Sequence, residues 1–314
     1  MKLTHWLASV VLLQLPLGAI TTTGDPNSSL YLVQPGSIFD GVAKLIISKS
    51  DGTFGCSGSL IGDGEFVLTA AHCLTTAGGQ LTVSSLSATF NLPDGDQTYN
   101  GISYAVNPQW NGDVNHGGDI AVIRLGMTVD SQAQRYPLYR TTDEFGKIVT
   151  LVGYGQSGDG NHAGSIGFGT KRQGQNQIDG FWNGFTQTHD GQTLGSIPGT
   201  PVAFDFDDGS AAKNQIGDTG LGINEVFISF GDSGGPAFFC PPMQPCEILG
   251  VNDFISSFTT QPNGSFGELG GDTRVSTFAP WIDANIPEPA TEVLIGAGLL
   301  GFAVLYRKRP HRAR

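Results

Sequence analysis

Along the chain, short runs rich in apolar and β-branched residues recur, each ending at glycine, asparagine or aspartate. GVAKLII (41–47), EFVLTAA (65–71), QLTVSSLSATF (80–90), IAVIRLG (120–126), IVTLVGYG (148–155), EVFIS (225–229) and EILGV (247–251) each fit one strand. Many such runs between turn residues predict an all-β sandwich or barrel, not alternating strand–helix units. One helix is expected, at STFAPWIDANI (276–286), where Ser276 can cap the first turn and Phe278, Trp281, Ile282 and Asn285 form a partly apolar face. From Tyr154 to Leu221 glycine, glutamine and asparagine dominate without apolar periodicity, which predicts long surface loops around a few strands.

Both ends depart from this pattern. MKLTHWLASVVLLQLPLGA (1–19) has one lysine, an apolar run and small residues at Gly18 and Ala19, the layout of a cleavable secretory signal peptide. At the other end Pro287-Glu288-Pro289 precedes an apolar run from Val293 to Tyr306 and then Arg307, Lys308 and Arg309. That run, about fourteen residues, is a short transmembrane helix by composition, below the usual ~20. The basic residues after it would stay on the cytoplasmic side. The PEP triplet, short apolar helix and basic end resemble the PEP-CTERM sorting signal of Gram-negative bacteria. The resemblance implies export, brief membrane anchoring, removal of the tail by an exosortase, and delivery to the cell surface or extracellular matrix. The expected division is a signal peptide over 1–19, removed by signal peptidase, one domain over 20–286 and a sorting tail over 287–314.

Removing both ends makes the domain more acidic. Residues 20–286 keep 10 of the 16 Lys and Arg and 26 of the 28 Asp and Glu, a net charge of −16 against −12 for the whole chain. Such a body repels polyanions, which argues against nucleic acid and anionic lipid as partners. Cys56, Cys73, Cys240 and Cys246 are an even number in an exported chain, so disulfides are permitted, and zinc is disfavoured because no CxxC pair occurs. DFDDG (205–209) gathers three carboxylates but lacks the ligand spacing of an EF-hand loop and reads as an acidic turn. No metal and no cofactor are expected.

Three segments carry chemistry. LTAAHC places His72 at the end of a strand, GGDIAVIRL places Asp119 just before one, and SFGDSGGPAFF sets Ser233 in a glycine-rich turn before an apolar strand. A serine hydroxyl is a weak nucleophile until a base takes its proton. Imidazole suits that task, and a buried carboxylate fixes its tautomer and stabilises the imidazolium. Backbone N–H groups around Ser233 must point inward to hold an oxyanion, and Gly231 can adopt conformations closed to residues with a Cβ.

With CSGSLIGDGEFVLTAAHC, DIAVIRL, VGYG, GDSGGP, ILGV and TRVSTFAPWI in order, the chain resembles the trypsin-like serine proteases over most of residues 41–286. The resemblance implies two six-stranded antiparallel β-barrels with a C-terminal helix and the catalytic groups in the cleft between barrels. It implies His72 as general base and acid, Asp119 as its orienting carboxylate and Ser233 as nucleophile. The N–H groups of Gly231 and Ser233 would form the oxyanion hole. The resemblance pairs Cys56 with Cys73. Cys240 and Cys246, flanking PPMQP, are expected to close a small loop on each other, a pairing that departs from the common family bridges. The pocket base would fall at Phe227 and its wall at Asp253, Phe254 and Ile255, with bulky Ile255 favouring small substrate side chains. Signal cleavage after Ala19 would free Ile20, whose ammonium would pair with Asp232. The substrates would be proteins or peptides, cut through an acyl-enzyme. A non-catalytic surface or matrix binding module on the same scaffold is the alternative.

Overall fold

In the computed structural model, residues 20–114, 117–182, 201–257 and 263–286 are described. The expected signal peptide, 1–19, and the expected short transmembrane helix within 287–314 lie outside the described residues. The chain starts with a two-residue strand, β1 (Thr21–Thr22), and then enters a series of hairpins: β2 (Val42–Lys49), β3 (Gly52–Ile61) and β4 (Phe66–Thr69). A one-turn helix, α1 (Ala71–Leu74), precedes β5 (Val83–Leu92), β6 (Gly95–Val106) and β7 (Ala121–Leu125). Gly95 sits at φ +108° in the turn between β5 and β6, where a Cβ would be strained. In β2 the alternation is plain: Leu45 and Ile47 are buried and Ile46 faces out. The six strands pair antiparallel in the order β2-β3-β4-β7-β6-β5, and β5 returns to β2, closing a barrel.

The second half is built differently. β8 (Ile148–Gly153), β9 (Gly158–Asp159), β10 (Arg172–Gln177), β11 (Gly180–Phe181) and β12 (Val202–Asp205) are followed by β13 (Val226–Phe227), β14 (Pro236–Phe239), β15 (Glu247–Ser256) and β16 (Leu269–Arg274). Seven of them form one sheet, β10-β8-β14-β15-β16-β12-β11, and β1 lies between β13 and β9 in a separate three-stranded sheet. The expected second six-stranded barrel therefore does not close by a ladder. Instead the Asn176 side chain on β10 donates to the carbonyls of Asp205 (2.9 Å) and Val226 (2.9 Å), bridging the open side with an amide.

The C-terminal helix α2 runs Val275–Asn285. Its N-terminus is not capped by Ser276: that hydroxyl donates to Glu144 Oε1, which with Oε2 also receives the buried Arg274 guanidinium. Val275, Phe278, Ala279 and Ile282 bury against the first barrel's core, which continues through Val152, Phe238, Ile248 and Val251. Trp281 is only half-buried. A second core gathers Ile20, Leu151, Phe204, Phe206, Phe227 and Leu249. Two disulfides, Cys56–Cys73 and Cys240–Cys246, use all four cysteines. The DFDDG segment is not a surface turn, because Asp205 and Asp207 are buried and, of its carboxylates, Asp208 alone is exposed.

Candidate active site

Strand register brings His72 and Asp119 together. Thr69, the last residue of β4, pairs with Ala121, the first of β7, so the residue three past one and the residue two before the other meet at the same barrel edge. Gly117 and Gly118, both at positive φ (71° and 78°), turn the chain into Asp119. Asp119 is fully buried; its Oδ1 accepts the backbone N–H of His72 (2.7 Å) and its Oδ2 lies 2.5 Å from His72 Nδ1. Burial alone would raise this carboxyl. The facing imidazole and hydrogen bonds from Asp253 and His72 outweigh it and hold Asp119 below the ordinary aspartate range.

Ser233 comes from the other half and is sewn to both. Its carbonyl accepts the N–H of Ser57 on β3 (2.9 Å), and Gly234 N–H reaches the carbonyl of Asn252 on β15 (2.8 Å). Gly234 has φ +79°, and a Cβ there would lie 2.0 Å from Thr69 Oγ1 and 2.5 Å from the Ser57 carbonyl. Only glycine lets the turn approach the first barrel this closely. Gly231 (φ +98°) is equally constrained, against Phe168 and Gly155. Among the described residues, no acceptor takes the N–H of Gly231 or of Ser233.

His72 and Ser233 line one cleft of about 360 Å³ together with Ile228, Ser229, Phe230 and the β15 residues Asn252 to Ile255. Among the described residues, no hydrogen bond joins the imidazole to Ser233 Oγ. Of the four pocket positions named from sequence, Asp253, Phe254 and Ile255 line the cleft, and Phe254 packs edge-on against Trp182 at 4.7 Å. Phe227 does not. It is fully buried behind the wall, stacked on Phe206 and edge-on to Phe204, and Ile228 lines the cleft in its place. The Asp253 carboxyl turns toward the His72–Asp119 pair, 3.9 Å from His72 Nδ1. Its signal in the sequence was an acid inside the apolar run ILGVNDFI.

Ile20 is also brought to its expected partner. Its backbone nitrogen donates to Asp232 Oδ2 at 3.1 Å, its side chain is fully buried, and its carbonyl accepts the Ser157 hydroxyl. Burial pushes Asp232 up to about 7, against the N–H groups of Gly155, Ser229 and Ile20 that pull it down.

Two groups of side chains have spacing that could suit a cation. Cys56, His72 and Cys73 form one, but its sulfurs are joined in a disulfide and offer no thiolate. His72, Asp119 and Asp253 form the other, with ligand atoms within 4.8 Å of one another. There His72 Nδ1 and the carboxyls are already engaged with each other. Among the described residues, the acidic cluster around Asp205 and Asp207 does not bring three such atoms that close.

The chain belongs to the trypsin family, whose model matches residues 34–282. A PEP-CTERM protein-sorting motif matches residues 285–309. A CLIP domain-containing serine protease, B10 of Anopheles gambiae, is 27% identical over 266 residues, covering 76% of this chain. The chain spans 63% of that relative's length. Among solved structures, HL collagenase superposes with a TM-score of 0.56 at 21% identity, covering 81% of this chain and 96% of that one. Neuropsin, a serine protease expressed in mouse brain, gives 0.55 at 19% identity, covering 81% and 97%. At these identities the two structures support the shared fold.

Proposed function

We propose that the protein is an exported serine endopeptidase. The observation that carries this reading is the buried Asp119 carboxylate hydrogen-bonded to His72 at the mouth of the cleft that also holds Ser233. Ser233 Oγ attacks the scissile carbonyl carbon as His72 Nε2 takes its proton. The N–H groups of Gly231 and Ser233 receive the oxyanion, and Asp119 stabilises the imidazolium. Collapse of the tetrahedral adduct breaks the C–N bond, His72 returns the proton to the leaving amine, and an acyl-enzyme ester remains. Water, deprotonated by His72, attacks that ester and regenerates Ser233. The chain supplies every group these steps use.

Cleavage after Ala19 turns the Ile20 amide into an ammonium at the position where it already contacts Asp232, converting a hydrogen bond into a buried ion pair. The apolar wall of Ile228, Phe254 and Ile255 favours small, uncharged side chains at the scissile bond. The tail after Ile286 directs surface display and is removed by an exosortase.

A serine-directed fluorophosphonate tests the reading. The processed protein should label at Ser233, Ser233→Ala should not, and mass spectrometry should find Ile20 at the mature N-terminus. A folded, processed sample that fails to label would instead support a binding module on this scaffold.

A further inference from the structure

The strand β15 carries a second carboxyl into the catalytic pair. A register shift between Asn252 and Phe254 leaves Asp253 outside the ladder with β16. Its side chain is buried and faces Asp119 from the loop before β7, His72 from α1, and Thr273 and Asp272 from β16. Among the described residues, His72 is the one basic side chain within ion-pair distance of it.

We propose that Asp253 is a positioning residue that holds a proton and donates it in a hydrogen bond to Asp119, so the two carboxyls carry one negative charge between them. This rests on the endopeptidase reading above and extends it to how the base is oriented.

Hydrogen bonding decides where the proton sits. Asp119 accepts two N–H groups of His72, from the backbone and from Nδ1, which favours its ionised form. Asp253 Oδ2 accepts only the Thr273 hydroxyl (3.0 Å), and no N–H or hydroxyl reaches Oδ1. An ionised Asp253 would leave Oδ1 buried and unsatisfied beside a like charge. A protonated one satisfies it by donating to Asp119, whose carboxyl lies within 4.8 Å. Burial, then the Asp119 charge and that hydrogen bond, hold the Asp253 carboxyl well above the usual aspartate range, and Asp272 pushes the same way. Asp253 therefore gives Asp119 a second anchor, beside His72, without making the pair a dianion. A dianion would bind imidazolium so tightly that His72 became a poorer proton donor to the leaving amine.

Two measurements separate this from the alternatives. In the processed Ser233→Ala protein, which needs no turnover, the ¹³C resonance of the Asp253 carboxyl should keep the shift of the acid form at pH 7. An ionised shift overturns the proposal. In the same background, Asp253→Asn should move the His72 NMR midpoint by less than about half a unit, because one neutral donor replaces another. A fall of about one unit or more would mean that a negative charge had been removed, and Asp253 would be a second carboxylate. In the active protein, Asp253→Val should lower kcat about tenfold or more with KM within about twofold. Asp253→Asn should restore most of that loss. Equal loss in Val and Asn variants, with folding intact by circular dichroism, rules out donation to Asp119. Absence of Ser233 labelling in the wild-type protein would sink the endopeptidase reading while leaving the NMR result standing.

Discussion

The two halves solve the same architectural problem with different chemistry. From Val42 to Leu125 the barrel closes by backbone ladders around aliphatic and aromatic side chains, and its buried carboxylate, Asp119, points to the seam. From Lys171 onward the interior takes in Asp205, Asp207, Glu225, Asp232, Asp253, Glu268 and Asp272. Asp205 is pushed up to about 7 and Asp207 to about 8, by burial first and by neighbouring carboxylates after it. Half-buried Asp179 beside them rises to about 8 for the same reasons. An apolar interior contributes stability that pH does not touch. An acid-rich interior ties stability to protonation.

The sharpest break would come from cutting into the apolar half. Phe90 is fully buried and packs edge-on against Tyr99 at 5.9 Å. Phe90→Ala should cost about 3–5 kcal/mol, the transfer loss plus the cavity left behind. Because its ring packs in the apolar core of the first barrel, urea unfolding should give the same loss at pH 5.5 and pH 8. A loss that doubled between those pH values would show that the halves are electrostatically coupled.

The contrast explains which parts could be read from sequence. Runs such as GVAKLII and IAVIRLG advertise strands because their apolar residues alternate or cluster at strand length. β6 (GDQTYNGISYAV) and β10 (RQGQNQ) do not: both are polar and are held by partners the local sequence cannot reveal. The open side bridged by Asn176 was equally invisible, since an asparagine in a polar run looks like a loop residue. At the site, His72, Asp119 and Ser233 stood out because each sits in a motif with turn or strand punctuation. The sequence puts Asp253 in the pocket wall. Its role depends on a bulge that redirects one side chain, which spacing along the chain does not encode. The sequence points to Phe227 as the pocket base for the same lack of tertiary information.

A second test addresses the acidic half directly. Asp272 on β16 is fully buried, neither carboxyl oxygen has a hydrogen-bond partner, and burial pushes it up to about 8. In the unfolded chain its proton leaves near the ordinary value of ~3.9. Between those values the native state binds more protons than the unfolded one, so this group's stability contribution is whole at acid pH and drains away toward pH 8. At 1.36 kcal/mol per unit, the loss from pH 5.5 to pH 8 is on the order of 3 kcal/mol. Asp272→Asn removes the titration, and should stabilise the protein by about 2 kcal/mol at pH 5.5 and about 5 kcal/mol at pH 8, flattening the decline. An unchanged slope of unfolding free energy against pH would mean Asp272 finds a compensating partner when ionised.

The smallest effect separates burial of charge from its mere presence. Two arginine–carboxylate forks fasten the region around α2: Arg274 to Glu144, buried, and Arg140 to Asp283 at 2.8 and 2.9 Å, about half exposed on both sides. The exposed fork keeps its charges in water, so its Coulomb gain is screened and partly offset by side-chain ordering. Arg140→Ala should therefore cost less than about 1 kcal/mol, and less still in high salt. Glu144→Gln leaves the Arg274 cation buried opposite a neutral amide, where breaking a pair costs about 3–5 kcal/mol. Thermal unfolding of the two variants side by side gives the ratio. If they cost the same, charge number and not desolvation would govern this half, and its contrast with the apolar barrel would reduce to composition.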